Sequence, residues 1–225
     1  FFRKFSEVLE SKLMPVADKI GKQRHLAAVK DGMLAYVPFT IIASVFLIIA
    51  YIPIPAYENF ITSILNVENA GVWQGKLIYV SNATMDVRAL YVLIAATYSL
   101  AKYYNTDKLQ ATLTSLAAFL VVTPYVFGDN GGNIPMTKVG AQAMFLAIIV
   151  SIVSVEVYRK IEQKGIVIKM PAAVPPAVAK PFVSIIPAFI SITLFYIVRL
   201  TLEITMSSDL FTVINTIVGK PLLLL

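Results

Sequence analysis

The chain contains no cysteine, a single histidine and a single tryptophan, and over five long stretches it has no charged side chain at all. Without cysteine there is no disulfide framework, no thiolate nucleophile and no cysteine-based metal site. The lone His25 sits among Lys22, Arg24 and Lys30, and no carboxylate cluster is near it in sequence. A structural or lipid-facing role is therefore expected for His25, with no metal, no cofactor and no catalytic residue in the chain.

The charge-free stretches are Met33 to Tyr57, Ala89 to Ala101, Leu109 to Gly128, Val139 to Val155 and Pro181 to Val198. A helix needs about 20 residues, at about 1.5 Å each, to cross a hydrocarbon core of about 30 Å. Four of the five meet that length nearly as they stand. Ala89 to Ala101 does so only if Asp86, Arg88 and the Lys102 to Tyr104 segment enter the headgroup region or are buried against neighbouring helices. Apolar residues make up 58% of the chain, more than in a typical globular domain. The fold class expected is an all-α polytopic membrane protein with about five transmembrane helices, interfacial amphipathic helices and the start of a sixth span.

Basic residues divide unevenly between alternate gaps. Arg3, Lys4, Lys12, Lys19, Lys22, Arg24, Lys30, Lys102, Lys108, Arg159, Lys160, Lys164, Lys169 and Lys180 fall in one set, and Lys76, Arg88, Lys138, Arg199 and Lys220 in the other. The positive-inside rule then places the N-terminus in the cytoplasm and the end of the fifth span outside. The net charge of +6 is accounted for by the anionic inner leaflet, without nucleic-acid binding.

Three segments follow. Residues 1–30 form a cytoplasmic or interfacial amphipathic segment, with Phe2, Phe5, Leu9, Leu13 and Val16 on one face and a break at Pro15. Charge interrupts its apolar residues too often for a signal peptide. Residues 31–205 hold the five transmembrane helices. Residues 206–225 hold an outer interfacial stretch, Leu210 to Ile217, and Lys220-Pro221 opening the sixth span.

Within these limits several features carry specific expectations. The outer gap from Glu58 to Asp86 is long and should hold a short amphipathic helix around Phe60, Ile61, Ile64 and Leu65, with Trp73 as an interfacial anchor. Asn82 and Arg88 have two readings, plain interface markers or the lining of a substrate path. Gly128 to Asn133 reads as a tight outer turn. Ala143, Ala147 and Ser151 recur every four residues and form a ridge for close helix packing, within or between subunits. Prolines at 171, 175, 176, 181 and 187 should break any helix and hold the approach to the fifth span extended.

The wording of that proline-rich segment, Met170-Pro-Ala-Ala-Val-Pro-Pro-Ala-Val-Ala-Lys-Pro-Phe-Val-Ser-Ile-Ile-Pro187, resembles a stretch of enzyme IIC, the membrane component of the bacterial phosphotransferase system, in its lactose/cellobiose/chitobiose class. Val174, Pro175, Pro176, Val178, Phe182 and Pro187 carry the likeness as an inner-loop motif. Leu13-Met14-Pro15, Arg24 to Met33, Pro38, and Tyr98-Ser99-Leu100-Ala101 leading to Asp107 match the same family in order.

The resemblance implies sugar transport by a homodimer in the bacterial cytoplasmic cell membrane. Enzyme IIC would admit a β-linked disaccharide such as cellobiose or diacetylchitobiose, which enzyme IIB, carrying phosphate on a cysteine, phosphorylates at the inner face. It further implies that the first five spans form the scaffold and dimer contact, and that sugar-binding His-Gly and Asn-Glu-Pro motifs belong to a second half. Neither motif occurs in these 225 residues, so the chain by itself is expected to bind no sugar. Two other readings compete. A cation-coupled secondary transporter would need acidic groups inside its spans, and none is expected there. A membrane scaffold without transport activity needs only the packing ridge.

Overall fold

The computed structural model describes residues 23–128, 131–171 and 173–219. It is all-helical apart from one small hairpin. Helix α1 spans Arg24–Ala50, α2 Pro55–Ile64, α3 Ala70–Thr84, α4 Arg88–Tyr103 and α5 Lys108–Val122. Strands β1 (Val126–Gly128) and β2 (Gly131–Asn133) pair antiparallel, and α6 (Met144–Gln163), α7 (Pro176–Met206) and α8 (Leu210–Ile214) follow. Four segments among the described residues are long and apolar enough to cross a membrane: Arg24–Ala50, Ala70–Tyr103, Met136–Gln163 and Ala177–Met206. The amphipathic reading of residues 1–22 and the opening of a sixth span at Lys220-Pro221 lie outside the described residues.

The spans differ from their expected bounds in instructive ways. Helix α1 starts at Arg24, well before the charge-free run, and includes Lys30 and Asp31. Lys30 is exposed, and Asp31 is received by Ser99 and Tyr103 of α4. The short second stretch is extended by α3, so that Ala70–Tyr103 makes one bent segment of 34 residues with its elbow at Met85 to Val87. The third stretch is the short one: α5 has 15 residues, about 22 Å at about 1.5 Å per residue.

The expected break in the proline-rich segment is also corrected. Pro175 caps α7 in an extended conformation, Pro176 occupies the first turn, and the helix then runs through Pro181 and Pro187. Proline fits the first turn because that N–H has no intrahelical partner anyway. The two interior prolines each remove one backbone hydrogen bond, which a membrane helix tolerates when neighbours support it. Here Pro187 is fully buried. The stretch before it is tied to α6 by the Tyr158 hydroxyl, which donates to Ser184 Oγ at 2.7 Å while Ser184 Oγ donates to the Lys180 carbonyl.

The core lies where α4, α5, α6 and α7 meet. Ala89, Leu93, Phe119, Ala143, Ala147 and Val150 form its main apolar cluster. Helix α1 lies against α4 at a point where both carry small residues. A β-carbon on Gly32 would lie 2.8 Å from Ala96 Cβ and 2.9 Å from Ala96 N, so only glycine permits this approach. Two expected surface features turn out to be buried, the second in part. Trp73 is only 4% exposed, its Nε1 donating to Thr62 Oγ1 and its ring edge-on to Tyr57, so it joins α2 to α3 and does not anchor in lipid. In the stretch expected at the interface, Phe211 and Ile214 of α8 pack into the main core cluster, while Ile217 is exposed.

Between two apolar layers of this core lies a layer of hydroxyls. Ala101, Ala111 and Tyr158 cluster on one side, and Leu93, Phe119 and Val150 on the other. One helical turn from the first set stand Thr97, Ser115 and Ser154, with Ser191 one turn before the core residue Phe195. All four hydroxyls are fully buried, and none has a hydrogen-bond partner among the described residues.

Candidate polar site at one end of the bundle

The start of α1, the α4–α5 turn, the end of α6 and the start of α7 come together at one end of the bundle, and most of the polar geometry among the described residues is there. Glu156 is its centre. His25 Nε2 lies 2.9 Å from Glu156 Oε1, Arg159 Nη2 donates to Oε2 at 2.6 Å, and the Tyr104 hydroxyl donates to Oε1. The Tyr104 ring lies between two guanidiniums, Arg159 at 4.1 Å and Arg24 at 5.3 Å from its centroid. Burial, followed by the bond to Glu156, raises the Tyr104 phenol above its ordinary pKa, so it stays a donor. One carboxylate thereby joins three segments that are far apart in sequence.

Two further polar groups, around Asp31 and around Asp107 and Glu162, surround this centre. Asp31 accepts from Ser99 Oγ at 2.6 Å and from the Tyr103 hydroxyl at 3.3 Å, which holds α1 to α4. Asp107 caps α5 by accepting from the Gln110 N–H at 3.0 Å. Thr106 donates to Glu162, and Lys180 Nζ lies 3.7 Å from Asp107. Between these groups opens a cavity of about 850 Å³, lined by the α4–α5 turn, Glu162 and the first turns of α5 and α7. Among the described residues no cluster of three potential metal ligands occurs.

The residues singled out in the sequence are distributed as follows. His25 belongs to the polar centre, and its partner Glu156 is 131 residues away, which is why the neighbouring sequence showed no carboxylate. Asn82, on α3, and Arg88, at the start of α4, flank the elbow at the opposite end. Arg88 Nε donates to the Met85 carbonyl at 2.6 Å, and no hydrogen bond joins it to Asn82 among the described residues. Ala143, Ala147 and Ser151 are buried inside the chain's own core. Val174 lies in the turn before Pro175, whereas Pro176, Val178, Phe182 and Pro187 belong to α7, so the inner-loop motif is largely the first three turns of a helix.

Sequence reasoning missed Glu156, Arg159, Tyr104 and Asp31. A weak signal was present: Glu156, Arg159, Lys160 and Glu162 crowd the last turns of an apolar helix, with Glu156 and Arg159 three apart. The helices run beyond the charge-free stretches, so that Asp31 falls in α1 and Glu156 in α6, both at the polar end.

Residues 30–224 match the family model described as "Phosphotransferase system, EIIC". The chain is 42% identical over 97% of its length to the "PTS system cellobiose-specific EIIC component" of Geobacillus stearothermophilus, covering 50% of that relative. It is 40% identical over 99% of its length to the "Lichenan permease IIC component" of Bacillus subtilis, again covering 50% of the relative. Among solved structures, it resembles the transporter ChbC, the IIC component from the N,N'-diacetylchitobiose-specific phosphotransferase system. That match has a TM-score of 0.86 and 39% identity, and covers 95% of this chain and 51% of the other. The chain spans about half the length of the proteins it matches.

Proposed function

The chain belongs to the phosphotransferase-system EIIC family of multi-pass membrane proteins of the bacterial cytoplasmic membrane, and from that membership we propose that it supplies the N-terminal scaffold half of a sugar permease. The substrate class proposed is a β-linked disaccharide of the cellobiose or diacetylchitobiose type. Its support is the high identity to a cellobiose-specific EIIC component along nearly the whole chain. In this reading residues 31–205 form the scaffold and carry the homodimer contact. The N-terminus is cytoplasmic, which puts the polar end of the bundle where enzyme IIB would approach.

The physical role assigned to the polar end is to hold the cytoplasmic ends of α1, α4 and α6 in fixed register. Glu156 takes hydrogen bonds from three directions, and such networks resist rearrangement because removing one member leaves buried charge unpaired. A rigid inner end suits a scaffold against which a separate sugar-carrying half moves.

The test joins this chain to the second half of the Geobacillus relative and measures uptake of labelled cellobiose in cells lacking their own permease. Uptake should require phosphoenolpyruvate and enzyme IIB, and should withstand an uncoupler. Uptake abolished by the uncoupler and indifferent to phosphoenolpyruvate would favour cation coupling instead. The chain alone should show no saturable binding of cellobiose or diacetylchitobiose.

A further inference from the structure

The cavity beside α5 and α7 has a composition that neither scaffold packing nor sugar transport requires. Its volume of about 850 Å³ lies within the range of small-molecule pockets. Charges of both signs line it: Asp107 and Glu162 against Lys108 and Lys180. Their pairing is loose. Lys180 approaches Asp107 only to 3.7 Å, with its own side chain 67% exposed. Glu162 accepts Thr106 on Oε2, and no protein donor reaches Oε1 among the described residues.

The surroundings are apolar. Tyr98, Leu109, Pro181 and Val183 share the lining. From the cavity two exposed apolar rows run outward along the helices, Leu109 and Leu113 on α5, and Val178, Phe182, Ile185 and Phe189 on α7. A pocket with both signs of charge at the end of apolar rows matches an amphiphile whose head carries a cation and an anion.

The geometry points to a binding site for a phospholipid with a primary-ammonium zwitterionic headgroup, phosphatidylethanolamine. Its phosphate sits between Lys108 and Lys180, its ammonium donates to Glu162 Oε1 and Asp107 Oδ2, and its acyl chains lie along the α5 and α7 rows. A purely anionic headgroup would bring phosphate to the lysines but give Glu162 Oε1 no donor. A choline headgroup has the positive charge but no N–H to donate. The assignment holds in either leaflet, and therefore does not depend on the orientation proposed above.

The experiment reconstitutes the chain in nanodiscs of equal phosphatidylethanolamine, phosphatidylcholine and phosphatidylglycerol, removes bulk lipid with mild detergent, and identifies retained lipid by native mass spectrometry. Phosphatidylethanolamine should be retained about tenfold over each of the others, the ratio expected for one charge-assisted hydrogen bond. The double variant Glu162→Gln/Lys180→Ala should lose that preference, and Lys138→Ala, at the other end of the bundle, should keep it. Stepwise N-methylation of the ethanolamine should weaken retention in the unaltered chain, a reading that needs no variant to fold. Equal retention of phosphatidylglycerol or phosphatidylcholine, retention indifferent to N-methylation, or no retained lipid would each overturn the assignment.

Discussion

The two ends of this bundle use charge differently. At the polar end, Glu156, Asp31 and Glu162 each receive donors from other segments, so charge joins helices that are remote in sequence. At the opposite end the cations serve helix termini. Arg88 donates to the Met85 carbonyl just outside its own helix, and Arg199 donates to the Val121 carbonyl at the end of α5 while pairing with Glu203 four residues on. Carbonyls at helix C-termini lack intrahelical partners, so each arginine there secures a helix end through a single carbonyl, Arg199 joining α7 to α5 as it does so. A network holds the polar end, and close packing with local caps holds the other.

Four substitutions would break or sharpen that contrast, in decreasing order of effect. Gly32→Val should be the most damaging, because its β-carbon would meet the backbone of Ala96 and force α1 from α4. A loss of about 3 kcal/mol is expected, read as failure to recover a monodisperse protein or as a sharply lowered unfolding temperature in detergent. Glu156→Ala strips three donors of their acceptor at once. With the carboxylate side chain 19% exposed, a loss of about 2 kcal/mol is expected, with faster hydrogen exchange at the start of α1 and the end of α6 together. Exchange that quickened in only one of them would contradict the network.

Arg199→Leu should cost less, about 1 kcal/mol, and its effect on exchange should stay in the last turn of α5. The smallest effect has the opposite sign. Ser154 is fully buried with no hydrogen-bond partner among the described residues, so Ser154→Ala removes an unsatisfied hydroxyl and should leave stability unchanged or raise it by up to about 1 kcal/mol. A clear loss in thermal unfolding would show that this hydroxyl has a partner.

The apolar runs made the membrane class readable, since a bilayer demands long charge-free helices and few other solutions exist. Ala143, Ala147 and Ser151, whose four-residue spacing suggested a packed face, are buried. Where local pattern competed with tertiary support, it misled. Pro181 and Pro187 looked like breaks but are carried within α7, and Trp73 looked like an anchor but is enclosed by α2 and α3. The polar end was hidden for a different reason. His25 and Glu156 are 131 residues apart, and Tyr104 and Glu156 are 52 apart. No local spacing rule relates such residues, so only the packing of α1, α4 and α6 reveals them.

The central claim is that the networked end faces the cytoplasm and the capped end faces outward. The absence of native cysteine makes this directly measurable with single substitutions. Lys102→Cys and Lys138→Cys, placed at the two ends, would each be exposed in intact cells to a membrane-impermeant maleimide. The account predicts labelling at position 138 without lysis, and at position 102 only after the membrane is opened. Labelling of position 102 in intact cells, with position 138 protected, would contradict it.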